Sequence, residues 1–308
     1  MKNGSKRWLI TGGMGFIGTN LINEIRGRFP DDQIVIVDNL QARSTALLTD
    51  LKNIDIYIQD ISSISSINVY NVDYFIHLAA ETDVRKSMAN PKESLMSNYN
   101  NLICCLNYAL ELNVKKFIFA SSAGCVGNNP IPLDEQSSFN PVSPYAASKL
   151  CGEIVCGLYS KLGLKTVSLR FSNIYGIHSN HKHSVVISFM KSIKAGKQIT
   201  IYGDGKQTRD FIYVDDVVLS IIKSATKNVE GTFCISSNIE TSINELIEII
   251  ELSLNMKARR ISLMQVDGEI ANSLVNNTKA VKDLQLSWNN TINLNEGIKK
   301  IAKWLERN

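Results

Sequence analysis

A chain of 308 residues with 44% apolar composition can bury a substantial core, as one large domain or two intimately joined ones. Its formal charge of +4 comes without any Lys/Arg run, so nucleic acid is not implied, and no stretch reaches the ~18 apolar residues of a membrane-spanning helix. The first six residues, Met1 to Lys6, pass directly into a strand pattern with no signal-peptide core, so a cytoplasmic protein is expected.

Residues 7–11 read as a short apolar strand that runs straight into Gly12-Gly13-Met14-Gly15-Phe16-Ile17-Gly18 and an amphipathic helix near 16–29. Strand, glycine loop and helix follow in the order a dinucleotide site requires. Gly12, Gly15 and Gly18 let the backbone turn tightly and approach a pyrophosphate, while the helix amino terminus offers N–H groups and partial positive charge. The second strand, 34–37, ends at Asp38, 20 residues after Gly18, where an acidic side chain meets ribose hydroxyls. A carboxylate there repels a 2′-phosphate, so NAD is favoured over NADP, with Arg43 nearby pulling the other way.

A third strand near 54–58 leads to Asp60-Ile61, where the carboxylate can hold an adenine amino group. The fourth, near 73–77, closes on His77-Leu78-Ala79-Ala80, whose small residues let a nucleotide lie against backbone; His77 itself reads as a packed strand-end histidine. A helix is predicted over 93–113 from Leu95, Tyr99, Leu102, Ile103, Leu106 and Leu110, and a fifth strand near 116–120 ends at Ser121-Ser122. Then comes a helix near 145–162, opened by Pro144, with Tyr145 and Lys149 one turn apart on the same face. A neighbouring ammonium favours phenolate and so pulls a tyrosine toward a neutral pKa, where it can exchange protons with a hydroxyl or carbonyl.

A sixth strand is expected near 165–169. After Gly176 the alternation loosens into a helix near 185–195, a strand near 198–202 ending at Gly203-Asp204-Gly205, a helix at 214–226, a strand at 232–235, and helices near 242–254 and 294–306. The fold class expected is α/β: a Rossmann-type doubly wound parallel sheet with a smaller mixed carboxy-terminal substrate-binding cap. Residues 1–176 form the expected NAD-binding domain, to which segments near 210–236 return, and 177–308 the substrate-binding region. The six cysteines, at 104, 105, 125, 151, 156 and 234, lack Cys-x-x-Cys spacing and read as buried reduced thiols, not disulfides or zinc ligands. His178, His181 and His183 lie close in sequence without a carboxylate or cysteine at ligand spacing, so no metal site is expected.

Together these stretches resemble the extended short-chain dehydrogenase/reductase superfamily, and within it the NAD-dependent nucleotide-sugar epimerase/dehydratase family, most of all the UDP-sugar 4-epimerases. The resemblance also runs through Arg170-Phe171-Ser172-Asn173-Ile174-Tyr175-Gly176, Ile201 to Gly205, and Thr208 to Val217. It implies NAD held by Gly12, Gly15, Phe16, Ile17, Gly18, Asp38, Asn39, Asp60, Ile61, Leu78, Ala79, Ala80, Asn98, Tyr145 and Lys149. Tyr145 would be the catalytic base toward a sugar 4-hydroxyl, Lys149 would bind the nicotinamide ribose and lower the tyrosine pKa, and Ser122 would share the proton. Asn173 and Arg209 would contact the substrate diphosphate, Thr200 and Tyr202 the uracil, and Ser273 the region of the sugar 2-substituent, where a small side chain leaves room for an N-acetyl group. The loop from Glu81 to Ser87 would face the sugar.

The reaction implied is inversion at C4 of a nucleotide-diphosphate sugar, UDP-Glc/UDP-Gal or UDP-GlcNAc/UDP-GalNAc, through a transient 4-keto intermediate. A homodimer through helices near 93–113 and 145–162 is implied as well. Two departures stand out: Val266-Asp267 precedes Gly268-Glu269 where the family places a phosphate-binding arginine, for which Arg259 or Arg260 could substitute, and Cys125-Val126 replaces the usual Val-Tyr. Ala123-Gly124 supplies no carboxylate beside Ser122, which disfavours a 4,6-dehydratase; a 4-ketoreductase would use the same Ser, Tyr and Lys. A non-catalytic nucleotide-sensing protein is the alternative from another class, and the intact Ser122, Tyr145 and Lys149 argue against it.

Overall fold

In the computed structural model, which describes residues 4–41, 52–179, 184–264, 270–287 and 291–307, the apolar run Trp8-Leu9-Ile10 forms β1 (Arg7–Thr11) at the middle of a parallel sheet. Helix α1 (Phe16–Arg28) crosses to β2 (Gln33–Asp38), and β3 (Ile54–Ile58) lies at the edge beyond it. Leu21, Ile22 and Ile25 of α1 are fully buried against β1 and β2, each worth ~1.5–3 kcal/mol relative to exposure. On the other side of β1 the chain returns as β4 (Tyr74–His77), after a 3-10 turn at Ile61–Ser66, and then passes through α2 (Val84–Ala89) and α3 (Pro91–Glu111) to β5 (Lys116–Ser122). Helix α4 (Pro144–Lys161) leads to β6 (Thr166–Phe171).

The sequence then leaves the sheet through β7 (Asn173–Tyr175), α5 (Val185–Lys194), β8 (Gln198–Tyr202) and β9 (Thr208–Tyr213). It returns with α6 (Val214–Thr226), which packs beside α1, and β10 (Gly231–Ile235), which pairs with β6 as the seventh strand. The sheet order is β10-β6-β5-β4-β1-β2-β3, all parallel, so the direction of winding reverses between β1 and β4. Ligands of such sheets lie in the crevice at the carboxyl ends of the strands at that reversal.

The remaining elements are β11 (Glu240–Ser242), α7 (Ile243–Leu254), β12 (Arg259–Leu263), α8 (Thr278–Leu284) and α9 (Leu294–Arg307). They complete two small sheets, β11-β9-β7 and β12-β8. No strand is expected at β9 from the sequence. Its pattern Thr-Arg-Asp-Phe-Ile-Tyr breaks the expected apolar run, because Asp210 is fully buried and accepts hydrogen bonds from Ser237 N at 2.8 Å, Asn238 N at 3.1 Å, Ser237 Oγ at 2.9 Å and Ser172 Oγ at 3.2 Å. A buried acid supplied with that many donors behaves as a joint between elements, not as a surface group.

All six cysteines are free thiols, but Cys151 is exposed and Cys104 only partly buried, a correction to the reading of six buried ones. Cys151 lies on the outer face of α4, in line with Ile154, Leu158 and Leu162, which are 54%, 53% and 68% exposed. Among the described residues no helix is long and apolar enough to cross a membrane.

Candidate active site

The glycine loop fills the gap between α1 and the end of β4. Gly12 has φ +70°, and a Cβ there would stand 2.8 Å from Ala79 N; a Cβ on Gly18 would stand 2.4 Å from the Gly12 carbonyl oxygen. Any larger residue at either point would push the loop off the sheet. Helix α1 begins after Gly15 with no side-chain cap and no acidic residue in its first turn, so its leading N–H groups and dipole face an incoming anion. Phe16 is buried in the core and Ile17 packs against it, which limits both to backbone contact with a ligand.

Asp38, at the tip of β2, accepts hydrogen bonds from Met14 N at 2.9 Å and Leu40 N at 2.7 Å. A carboxylate has about four lone-pair sites, so acceptor capacity remains for a vicinal diol. Asp60 is held by the Ser62 hydroxyl at 2.7 Å and the Ser62 N–H at 2.9 Å, which keep its carboxyl below the usual carboxylate range, and Asn39 lies 3.5 Å away. Ile61 turns its side chain into the core, leaving its backbone as the ligand-facing part. Leu78, Ala79 and Ala80 are half-buried at the end of β4. An uncapped helix start, a carboxylate with spare lone pairs and a fixed Asp60 fit a dinucleotide, so these residues could hold NAD.

His77 is buried, with Nδ1 2.8 Å from Thr11 Oγ1 and its ring stacked on Phe119 at 6.1 Å. Burial, helped by the Lys149 ammonium, brings its pKa down to about 3. An unfolded histidine binds a proton near pH ~6.5, so between pH 6.5 and about 3 the unfolded chain carries one proton that folded His77 refuses. Its contribution is therefore present above pH ~6.5 and lost as the pH falls, by up to ~1.4 kcal/mol per pH unit. Urea midpoints should consequently fall less steeply with acid for His77→Asn than for the parent; parallel slopes would contradict this.

Helix α4 starts on Pro144, with Ser143 Oγ accepting Ala146 N–H at 3.2 Å. This cap sets Tyr145 and Lys149 on the face that meets the end of β5. Lys149 Nζ donates to the Ala120 carbonyl at 2.8 Å and lies 5.8 Å from the centre of the Tyr145 ring. The Tyr145 hydroxyl hydrogen-bonds Ser122, whose Oγ also accepts Gly124 N–H at 3.1 Å. The expectation that Lys149 draws the phenol toward neutrality is not met in this state. Burial pushes Tyr145 up to about 12, opposed chiefly by the Ser122 hydrogen bond, so the resting site holds a neutral phenol.

Asn98, expected beside the cofactor, braces the structure there. Its Oδ1 accepts Glu81 N–H at 2.8 Å, and its Nδ2 donates to Glu81 O at 3.1 Å and Ser148 Oγ at 3.0 Å. Both amide hydrogens are thereby spent on tying the loop after β4 to α4. Sequence reasoning missed Glu153, one further turn along α4. It accepts hydrogen bonds from Arg170 Nε at 2.9 Å and Nη2 at 2.8 Å, and from the hydroxyl of Ser121, the residue before Ser122, all buried. Its position four residues after Lys149, on the face already marked by Tyr145, was the available signal.

The substrate candidates are gathered by strand register. Ser122 pairs with Phe171, Asn173 follows two residues on and pairs with Phe211, and Arg209 precedes Phe211 by two. Thr208 N donates to Ala271 O at 2.9 Å and Ser273 N to Thr208 Oγ1 at 3.4 Å, which brings Ser273 beside Arg209. Thr200 and Tyr202 lie on β8, and Gln207 Nε2 donates to the Tyr202 carbonyl at 2.7 Å. Arg260 is taken up by Glu251 at 2.9 Å, a carboxyl also bound by Lys257 and held at about 2, so it makes a poor substitute phosphate ligand. Arg259 lies on the exposed β12. His178 packs edge-on against Trp304 at 5.6 Å. Arg43, His181, His183 and Val266 to Glu269 lie outside the described residues.

Comparison with known proteins follows the same lines. The profile of the NAD dependent epimerase/dehydratase family matches residues 8–235. A putative UDP-glucose 4-epimerase of Methanocaldococcus jannaschii is 33% identical, over 97% of this chain and 98% of its own. Among solved structures, the UDP-N-acetylglucosamine 4-epimerase of Methanobrevibacter ruminantium in complex with UDP-N-acetylmuramic acid superposes with a TM-score of 0.90 at 30% identity, covering 98% of this chain and 99% of the other. The UDP-glucose 4-epimerase of Thermotoga maritima with UDP-glucose gives a TM-score of 0.90 at 27% identity, over 98% and 99% of the two chains.

Proposed function

The chain belongs to the NAD dependent epimerase/dehydratase family, and from that premise we propose that it inverts C4 of a UDP-linked hexose through a transient 4-keto sugar. The observation that carries this reading is the Tyr145 hydroxyl hydrogen-bonded to Ser122, with Lys149 on the same helix face, at the carboxyl end of β5. The glycine loop, Asp38 and Asp60 would hold NAD, which when bound would supply a reversible hydride acceptor for C4. The protein's part is to handle the proton and hold the substrate. Tyr145 exchanges a proton with the sugar 4-oxygen, Ser122 shares it, and Lys149 keeps α4 locked to β5 while contributing positive charge beside the phenol. Asn173 and Arg209 grip the diphosphate, Arg209 through the planar fork that matches phosphate oxygens, and Thr200 and Tyr202 receive the base.

Elimination chemistry is disfavoured because Ala123 and Gly124 bring no carboxylate and Glu153 is committed to Arg170. The deciding experiment incubates the protein, without added cofactor, with UDP-, dTDP-, GDP- and CDP-hexoses and separates products by C4 configuration. Inversion without net NADH is expected, and accumulation of a 6-deoxy-4-keto product would reverse the reading.

Ser273 leaves space beside the sugar, which supports acceptance of the N-acetylated pair. Ser273→Tyr is expected to depress UDP-GlcNAc turnover about 10-fold or more relative to UDP-Glc, and an unchanged ratio in competition assays would remove Ser273 from the pocket. The outer faces of α3 and α4 carry Met96, Tyr99, Ile154, Leu158 and Leu162, all exposed, a stripe whose cover in a cytoplasmic homodimer would be a second copy. Leu158→Glu should shift sedimentation to the monomer; a monomeric parent protein would overturn that assignment.

A further inference from the structure

Helix α2 stands between the two ends of the proposed substrate path. At one side Ser87 Oγ accepts the backbone N–H of Tyr145 at 3.3 Å, so α2 is fastened to the start of the catalytic helix. At the other, the guanidinium carbon of Arg85 lies 5.5 Å from the centre of the Tyr202 ring on β8. A nucleotide sugar with its hexose at Ser122 and Tyr145 and its base at Tyr202 must carry its diphosphate across the gap that Arg85 spans.

We propose that Arg85 is a diphosphate-binding residue, acting from α2 as the second cation beside Arg209 of β9; this deepens, and rests on, the reading of the site as one for UDP-sugars. Three observations support it. A sugar diphosphate carries a negative charge on each phosphate, and the segment from Gln265 to Glu269 adds no Lys or Arg to meet them. The neighbouring cation Lys86 is ion-paired with Glu81, which leaves Arg85 as the guanidinium aimed at the cap. Stacking on Tyr202 uses the flat face of the guanidinium, so its in-plane N–H groups still point outward, in the fork that phosphate accepts bidentately. Arg85 is exposed, where a cation–ring stack is weak, so adjustment toward an anion is cheap.

The test compares Arg85→Leu, which keeps apolar contact with Tyr202, and Arg85→Lys with the parent protein. UDP binding is read by isothermal titration, uridine binding by ligand-observed NMR, and turnover of the best UDP-hexose by steady-state kinetics. Arg85→Leu should weaken UDP about 10- to 100-fold, raise KM similarly with little change in kcat, and leave uridine within about 2- to 3-fold. Arg85→Lys should fall between the two. Unchanged UDP affinity, or equal losses for UDP and uridine, would overturn the proposal, the latter because Arg85 would then only prop the Tyr202 ring. A parent protein that binds UDP through Arg85 but inverts no UDP-hexose would sink the epimerase reading while upholding this one.

Discussion

Tyr145→Phe should turn over UDP-hexose about 10²- to 10⁴-fold more slowly than the parent, the range associated with a positioned acid or base. The substitution removes one oxygen. Ser122 keeps its hydrogen bond from Gly124 N, and the ring keeps its place one turn before Lys149, so stability should change by no more than ~1 kcal/mol. Slow turnover with an intact melting transition therefore isolates proton transfer from folding. Because the resting phenol titrates at about 12, the parent enzyme's dependence on phenolate should appear as a rate that rises with pH on the alkaline side, and Tyr145→Phe should lose that rise. A variant with the parent's rate would hand the site to the nucleotide-sensing reading.

The largest expected effect on stability comes from Glu153→Ala. Arg170 is 2% exposed and donates its fork of hydrogen bonds to Glu153, so truncating the acid strands a guanidinium in the core. Breaking a buried pair in this way typically costs ~3–5 kcal/mol, which should be read as a lower urea midpoint. The double variant Glu153→Leu with Arg170→Met should recover most of the loss, since well-packed apolar side chains can replace a buried pair at little cost. A single variant within ~1 kcal/mol of the parent would mean that water reaches Arg170. The pair also matters to the site, because Glu153 holds the Ser121 hydroxyl and so anchors the residue next to Ser122.

The cofactor half of the site was readable along the chain because its parts are local. Gly12, Gly15 and Gly18 fall within seven residues, Asp38 ends the next strand, and Tyr145 and Lys149 are one helical turn apart, so strand and helix periodicity alone bring each set together. Ser122 is legible as a candidate for a related reason, as the last residue of an apolar strand. The partners of Asn98 and Lys149 were not legible in the same way. An amide and an ammonium take their meaning from partners, and Glu81, Ser148 and Ala120 lie 17, 50 and 29 residues away.

The substrate half depended on contacts that no local pattern encodes. Arg209, Asn173 and Ser273 come together through the β7, β9 and Ala271-to-Ser273 pairings, and the buried Asp210 that joins these segments looks in sequence like any polar residue in a turn. Arg85 and Tyr202, far apart in the chain, meet where α2, fastened by Ser87 to Tyr145, faces β8. What the sequence determined by itself was therefore the parallel sheet, the nucleotide loop and the placing of Tyr145 and Lys149, the proposed proton-handling pair, on one helix face, since short-range periodicity and backbone sterics specify them. The environment of Tyr145 and the gathering of the proposed diphosphate ligands were decided by tertiary structure alone, because burial and long-range charge depend on which distant segments close over a group, not on its neighbours in the chain.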